Sequence, residues 1–552
     1  MTDLWRAGTT RLWLGRSCWA GIVAVGLLLK ALQSPLYIFG ADDDDELMVR
    51  MAQGFLRGHW SSTFSTTGAV TLTKPIGFPV FLAVVHFLPW SPLVSNYMLY
   101  LVGAGLVAWS WRRLSGSRAQ ATVVLAALAF NPILFATDSQ QVYREVFIDA
   151  VATVAIGLSF VVAAEVMGRR PGAGRQPSQS PVAASGRDRS NGSHARIRWA
   201  PFALAAVIGL AVGVVAVTKP TWQWLALAIA APLVVPLVEG VRRSGNRPSA
   251  VLRVVLAVLL AVGGALGVVE TTKAMNKRAY GVALVEDFST GSVARAWKAW
   301  ASVEAGPPRH DVAFTEPMRI AVYRISPTAA EMEPYFKSPS DLWKQVDCSS
   351  PAKICDESGN WFEWDLRSAA VATGRINSVR DLQDFFTTVA NDIEHACTSG
   401  ELRCTSSPVL ATGLPPLNQI SGATVASDTA DGMARMLSGR LAMGPPIGPQ
   451  PSLSEYRLWA SVVPGMSSIQ TVERGTSPTS SYSVLRVLDT LYEIGNLLLA
   501  AVLCLGPVLW AVRRLRRCPR GRERADLNAA GASGLFLVSA IVGMATLAVF
   551  EA

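Results

Sequence analysis

A chain of 552 residues that is 50% hydrophobic and only 16% charged, with a mean hydropathy of +0.31, does not have the balance of a soluble enzyme. Its formal net charge of +10 invites a nucleic-acid reading. The Lys and Arg residues, however, stand in short blocks beside apolar segments, which is membrane topology and excludes that partner.

The first apolar segment, 18–39, is long enough to span a bilayer and is followed by no small-residue cleavage site, so it reads as a retained helix. Further runs of spanning length lie at 92–111, 119–137, 145–167, 199–217, 221–239, 251–271, 485–512 and 531–549, which makes about nine transmembrane helices. Basic blocks fix the orientation. Arg6, Arg11 and Arg16 precede the first run, Arg112, Arg113 and Arg118 separate the second from the third, and Arg169 and Arg170 follow the fourth. Arg242, Arg243 and Arg247 separate the sixth from the seventh, and Arg513 to Arg524 follow the eighth. With the N-terminus in the cytoplasm, every block is cytoplasmic. This holds if the apolar stretch 75–89, short and bounded by prolines, lies in the outer interface instead of crossing.

The expected architecture is a polytopic α-helical protein of the inner (cytoplasmic) membrane. An N-terminal module, 1–271, contains an outer loop at 40–91 and a Gly-, Ser-, Pro- and Arg-rich linker at 169–198 that lacks the apolar residues to pack. A large extracytoplasmic domain, mixed α/β or α, occupies 272–483, and C-terminal helices fill 484–552. In the domain, Leu382, Phe385, Phe386, Val389 and Ile393 form the apolar face of a helix over 380–396. Cys348, Cys355, Cys397 and Cys404 fall there as two close-spaced pairs; outside the cytoplasm they would form two disulfides, whereas a zinc site usually wants tighter spacing.

The chemistry concentrates in the outer loop. Asp42, Asp43, Asp44, Asp45 and Glu46 are five consecutive carboxylates beside a membrane span, so they must face water or a cation. Acids also cap helix N-termini, which is the plainer reading of such a run. The next outer connections carry Arg144 with Glu145, and Lys219, so acids and bases from three loops meet on one side of the bilayer. That combination suits a lipid-phosphate substrate: a carboxylate deprotonates an acceptor hydroxyl while Lys or Arg neutralises the departing phosphate. Like charges packed together raise the pKa of one member, as a general base requires, and Asp45 with Glu46 could instead hold a divalent metal through oxygen ligands. Arg144 and Glu145 equally suit an ordinary interfacial ion pair, and Lys219 a snorkelling side chain at a turn. Trp361 and Trp364 could stack on a sugar ring, although aromatic core is the better reading.

The sequence Asp44-Asp45, then Ala52, Gly58 and Trp60, then Lys74-Pro75-Ile76-Gly77-Phe78-Pro79, resembles the first outer loop of the GT-C glycosyltransferase superfamily. The protein mannosyltransferase and aminoarabinose transferase branch is the most similar, although Phe78 stands where that branch has Tyr. The match covers the first 150 or so residues; beyond them only the helix arrangement agrees. The resemblance implies an integral membrane glycosyltransferase that moves a sugar from a polyprenyl-phosphate carrier to an extracytoplasmic glycan, lipid or protein acceptor, by inversion. It selects Asp44 and Asp45 as catalytic, Asp45 as the base, and makes Lys74, Arg144, Glu145 and Lys219 substrate- or phosphate-binding candidates. Some relatives need a metal and others do not. Relatives also carry further helices after the point where this chain ends, which implies a short member.

Two other classes compete. A transporter or flippase of lipid-linked substrates would place ionisable residues inside the spans, where this chain has few, Asp489 and Glu493 being the notable acids. A non-catalytic scaffold would bind cell-envelope polymer through its outer domain.

Overall fold

The computed structural model describes residues 2–33, 35, 44–60, 63–64, 70–135, 140–167, 200–219, 247–307, 314–338, 362–407 and 453–464, with isolated positions at 225–233, 312, 348 and 423–430. The spans expected at 485–512 and 531–549, the linker 169–198, most of 221–239, and Asp42, Asp43, Asp138, Cys355 and Trp361 lie outside the described residues.

The protein is an α-helical membrane protein. Its helices are α1 (Thr2–Ala31), α2 (Asp44–Leu56), α3 (Gly77–Val85), α4 (Pro92–Ser115), α5 (Arg118–Ala129), α6 (Arg144–Met167), α7 (Ala200–Ala216) and α8 (Arg247–Tyr280), followed by α9 (Gly291–Ala301), α10 (Glu316–Ile325), α11 (Pro327–Ala330), α12 (Glu333–Phe336), α13 (Phe362–Ala372), α14 (Val379–Ser399) and α15 (Leu453–Ala460). Among the described residues three helical stretches, Pro92–Ser115, Arg144–Glu165 and Val251–Tyr280, are long and apolar enough to cross a bilayer. The 119–137 run is not one helix: α5 ends at Ala129, and a 3-10 turn, Pro132–Phe135, follows Asn131. Pro132 cannot donate a backbone hydrogen bond, which breaks the helix there. At nine residues α3 is also too short to span, in keeping with a helix lying at the interface.

Small residues set the helix spacing. A Cβ on Gly103 of α4 would stand 2.5 Å from the Thr153 carbonyl carbon of α6, and one on Gly157 of α6 would meet the Gly103 oxygen at 2.7 Å. Gly209 and Gly213 of α7 meet Ala261 and Ala265 of α8 in the same way. Such close backbone approach is how helices gain dispersion contact where no water drives them together. The rest of α8 exposes Leu252, Val255, Val258, Leu259, Val262 and Leu266, a surface suited to lipid.

Beyond α8 the described residues form a helical unit. Trp297 and Trp300 of α9 pack with Phe314, Val322, Leu366, Leu382, Phe386, Val389 and Ile393 in one core. Helix α14 carries the apolar face read from the sequence; Ser378 caps it by accepting from the Asp381 amide at 3.2 Å, while the Asp381 carboxylate accepts from the Asn377 amide at 3.0 Å. Among the described residues of this unit there is no strand, only an isolated bridge between Val303 and Cys404. The two short strands, Thr63–Phe64 and Val70–Thr71, form an antiparallel hairpin in the 40–91 loop.

The Cys397–Cys404 disulfide joins the last turn of α14 to the bridged segment, with Cα atoms 5.5 Å apart. Cys348 is also disulfide-bonded. Closing so short a loop restricts the unfolded chain by about 2–3 kcal/mol. The double substitution Cys397→Ser with Cys404→Ser should therefore lower the thermal midpoint of the purified protein, and a midpoint equal to that of the parent, with both kept in non-reducing buffer, would show that this crosslink does not contribute.

Candidate functional site

Helices α2, α3, α6 and α7 meet in one core. Met48, Val49 and Ala52 of α2 pack with Phe78 and Leu82 of α3, Phe147, Ile148 and Val151 of α6, and Val215 of α7, closed by Trp459. Asp44 and Asp45 form the first turn of α2, where the helix dipole favours carboxylates. Glu46 is paired with Arg50 one turn on, at 2.6 Å from Nε. Among the described residues no three His, Cys, Asp or Glu side chains gather as a metal site.

The end of the acid-bearing segment is hooked to α8. Gly58 adopts φ +79°, which turns the chain so that Trp60 Nε1 donates to Asn276 Oδ1 at 2.8 Å. The Tyr280 hydroxyl donates to the Trp60 carbonyl at 2.7 Å. The Gly-x-Trp pattern thus fastens the loop to the base of the helical unit.

The Lys-Pro-Ile-Gly segment is held from two sides. The Gly77 amide donates to the Val217 carbonyl at 2.7 Å, and any Cβ there would meet Thr218 Oγ1 and, at 2.8 Å, that same carbonyl. On the other side the Asp287 amide donates to the Leu72 carbonyl at 3.2 Å. The first contact places the segment beside Lys219, two residues beyond Val217. There Lys219 Nζ donates to Glu145 Oε1 at 3.0 Å, and Arg144 Nε approaches the same oxygen at 3.5 Å. Two cations share one carboxylate, and the group remains partly open to solvent. Asp149 follows Glu145 by one helical turn on α6.

Lys74 is in a different setting. It is only 5% exposed, and its ammonium lies 4.9 Å from the centroid of Trp364 and 5.9 Å from that of Phe288. Such cation–π contacts, when desolvated, contribute about 2 kcal/mol. Around them is a buried ionic cluster that the sequence did not single out: Glu286, Asp287, Glu363 and Arg367. Arg367 donates to Asp287 Oδ1 at 2.7 Å and to Glu363 Oε1 at 3.2 Å, and its guanidinium lies over Phe288 at 5.2 Å and Trp364 at 5.9 Å. Glu286 folds the turn, accepting from the Phe288 amide at 2.5 Å, from the Ser289 amide at 2.9 Å and from the Ser289 hydroxyl.

Three carboxyl groups and two cations, Lys74 and Arg367, give this buried cluster a formal charge of −1, which low-dielectric surroundings oppose. Burial accordingly pushes the Glu363 carboxyl well up from the usual carboxylate range; Arg367 opposes this, and Glu286 and Asp287 reinforce it. Burial also raises Glu286, against the hydrogen bonds from Ser289. Burial opposes the charge of Arg367, but Asp287 and Glu363 hold its guanidinium above the ordinary range. One signal was present in the sequence: Glu363 and Arg367 stand at i and i+4, the spacing of a helical ion pair. Asp287 comes from a distant turn, which no local pattern announces. Trp364 belongs to this buried cluster, in keeping with the core reading, and both cations lie over its ring.

No family model matches the chain, and no curated protein sequence matches it. Solved structures that resemble it include ArnT from Cupriavidus metallidurans in the apo state, at 14% identity and a TM-score of 0.29, and the same protein bound to undecaprenyl phosphate, at 13% identity and 0.27. Each alignment covers 98% of this chain and 78% of the other. Likeness at this level carries no weight for fold or function, so the reading of the site rests on its own residues.

Two outcomes follow. Gly77→Ala forces a methyl group against a backbone carbonyl and should cost about 1–3 kcal/mol, read as a lower thermal midpoint; an unchanged midpoint would show that the segment is not docked on α7. For Glu363, a folded pKa above the unfolded value of about 4.3 means that its contribution is fully present below that value and is lost as pH rises through the folded one. Glu363→Gln removes this loss, so its thermal midpoint should fall less than that of the parent between acidic and mildly alkaline pH; parallel profiles would refute the shift.

Proposed function

We propose that the protein is an integral membrane glycosyltransferase of GT-C type that moves a sugar from a polyprenyl-phosphate carrier to an extracytoplasmic acceptor, a cell-envelope glycan, lipid or protein. The observation that carries the proposal is the docking of the Lys74–Gly77 segment against the end of α7. It sets the segment of the motif-bearing loop that follows the acids beside Lys219, which with Arg144 shares the Glu145 carboxylate. A loop carrying paired acids that docks beside basic residues of other loops supports transfer from a lipid phosphate better than a scaffold role.

In this reading Asp45, with Asp44 beside it, takes the proton of an acceptor hydroxyl. The oxygen attacks the anomeric carbon as the bond to the carrier phosphate breaks, and one displacement gives inversion. Arg144 and Lys219 neutralise the phosphate that leaves. Lys74, being buried against Trp364 and Phe288, serves to hold the loop in place. The orientation with the N-terminus in the cytoplasm and the helical unit outside, the nine spans and the second disulfide between Cys348 and Cys355 belong to the same proposal.

The test is transfer by the purified protein from a panel of polyprenyl-phosphate sugars to envelope extract, read by the mass of the glycan product. Asp45→Ala and Asp44→Ala should each reduce transfer by about 100-fold or more at normal expression and an unchanged thermal midpoint, the scale of a lost general base. Undiminished transfer in both variants would sink the enzyme reading.

A further inference from the structure

Nothing in the reaction proposed above uses the buried acids of the helical unit, yet they are arranged around one of its cations. Glu363, Trp364 and Arg367 come from the first two turns of α13, while Asp287 and Phe288 come from the turn that follows α8. Each of the two rings has a cation on it from either side of the junction, Lys74 from the loop and Arg367 from the helix. The rings lie 6.2 Å apart, so they form a single aromatic pair clasped by both. The Asp287 amide, moreover, is the group that holds Leu72, two residues before Lys74. Helix α13, the 286–289 turn and the 72–77 segment are thus fastened to one another by a backbone bond and by the side chains of Lys74, Asp287, Glu363, Trp364 and Arg367, all buried, with Phe288 partly so.

We propose that Arg367 is a positioning residue: by pinning Asp287 and Glu363 it fixes Phe288 and Trp364 against Lys74, and so holds the 72–77 segment in register with Lys219 and the head of α2. This rests on the glycosyltransferase reading. The guanidinium suits the task because its planar fork bonds two carboxylates while its face lies on a ring, which an ammonium cannot reproduce. Freed of Arg367, the cluster of Lys74, Glu286, Asp287 and Glu363 keeps three acids against one cation, and the aromatic pair loses one of its two clasps. The segment then shifts relative to α7, and displacement by a fraction of an ångström is enough to slow a reaction that depends on alignment.

The expected signature separates positioning from mere support. In Arg367→Gln, kcat for polyprenyl-phosphate sugar should fall about 10-fold or more while KM changes little, because alignment is lost and not ground-state binding. Arg367→Lys should not restore it. A readout independent of turnover is acylation of Lys74 by acetic anhydride, followed by mass spectrometry of the intact membrane protein after digestion. Lys74 should be protected in the parent and labelled at least about 10-fold faster in Arg367→Gln, a factor equivalent to 1.4 kcal/mol of local opening. Should Arg367→Gln not fold, Trp364→Leu and Trp364→Phe replace it: the leucine variant should label and lose kcat, and the phenylalanine variant, which keeps a ring, should recover most of both. Unchanged kcat and unchanged labelling in a folded Arg367→Gln, or in Trp364→Leu if that variant is the one used, would overturn the proposal while Asp45→Ala still tested the enzyme reading alone. If Asp44→Ala and Asp45→Ala are both fully active, the enzyme reading fails first, and the labelling result alone decides whether Arg367 holds Lys74.

Discussion

The contact on which the rest depends is the double anchoring of the 72–77 segment, by Val217 on one side and Asp287 on the other. Each anchor is a single backbone hydrogen bond, worth about 1 kcal/mol net by itself. What gives them force is their setting. One lies where Gly77 allows a backbone to approach without a side chain, and the other is beside a fully buried ion pair that cannot be opened cheaply. The segment is therefore the place where the membrane helices and the helical unit share residues, and its position is a property of both.

The two ionic groups joined through this segment differ in kind. Glu145 and Lys219 are partly solvated, so their pairwise bond contributes little to stability. The cluster around Arg367 is sealed and carries excess negative charge, so its members are costly to bury and are held by one another. Open groups of the first type suit contact with a ligand, whereas closed groups of the second type suit holding parts in place. Lys74 carries a charge of the first type into a setting of the second.

Much of this was legible in the sequence wherever the signal is local. The apolar runs at 92–111, 145–167 and 251–271 gave their helices, since length and composition decide membrane insertion. The amphipathic face of α14 and the Cys397–Cys404 pair were also readable, because spacing along one element decides them. The 119–137 run misled because hydropathy counts Pro132 as a tolerated residue while the backbone does not. The motif at 44–79 named Lys74, yet nothing near it in the chain could announce that Trp364 and Phe288 would cover it. That pairing depends on long-range topology, as does the meeting of Asp287 with Arg367, and periodicity carries no information about either.

Helix α8 has a further consequence. Its 34 residues make a rod of about 51 Å, whereas the hydrocarbon core of a bilayer is about 30 Å thick. From Glu270 onward the helix becomes polar and continues without a break to Asn276 and Tyr280, the residues that hold Trp60. The rod therefore acts as a gauge block: the distance from its apolar stretch to the Trp60 hook is set by a count of residues and not by a flexible tether. An inserted residue would turn that hook by about 100° as well as lift it by about 1.5 Å, so the length of α8 and the chemistry of the loop it supports can only have changed together.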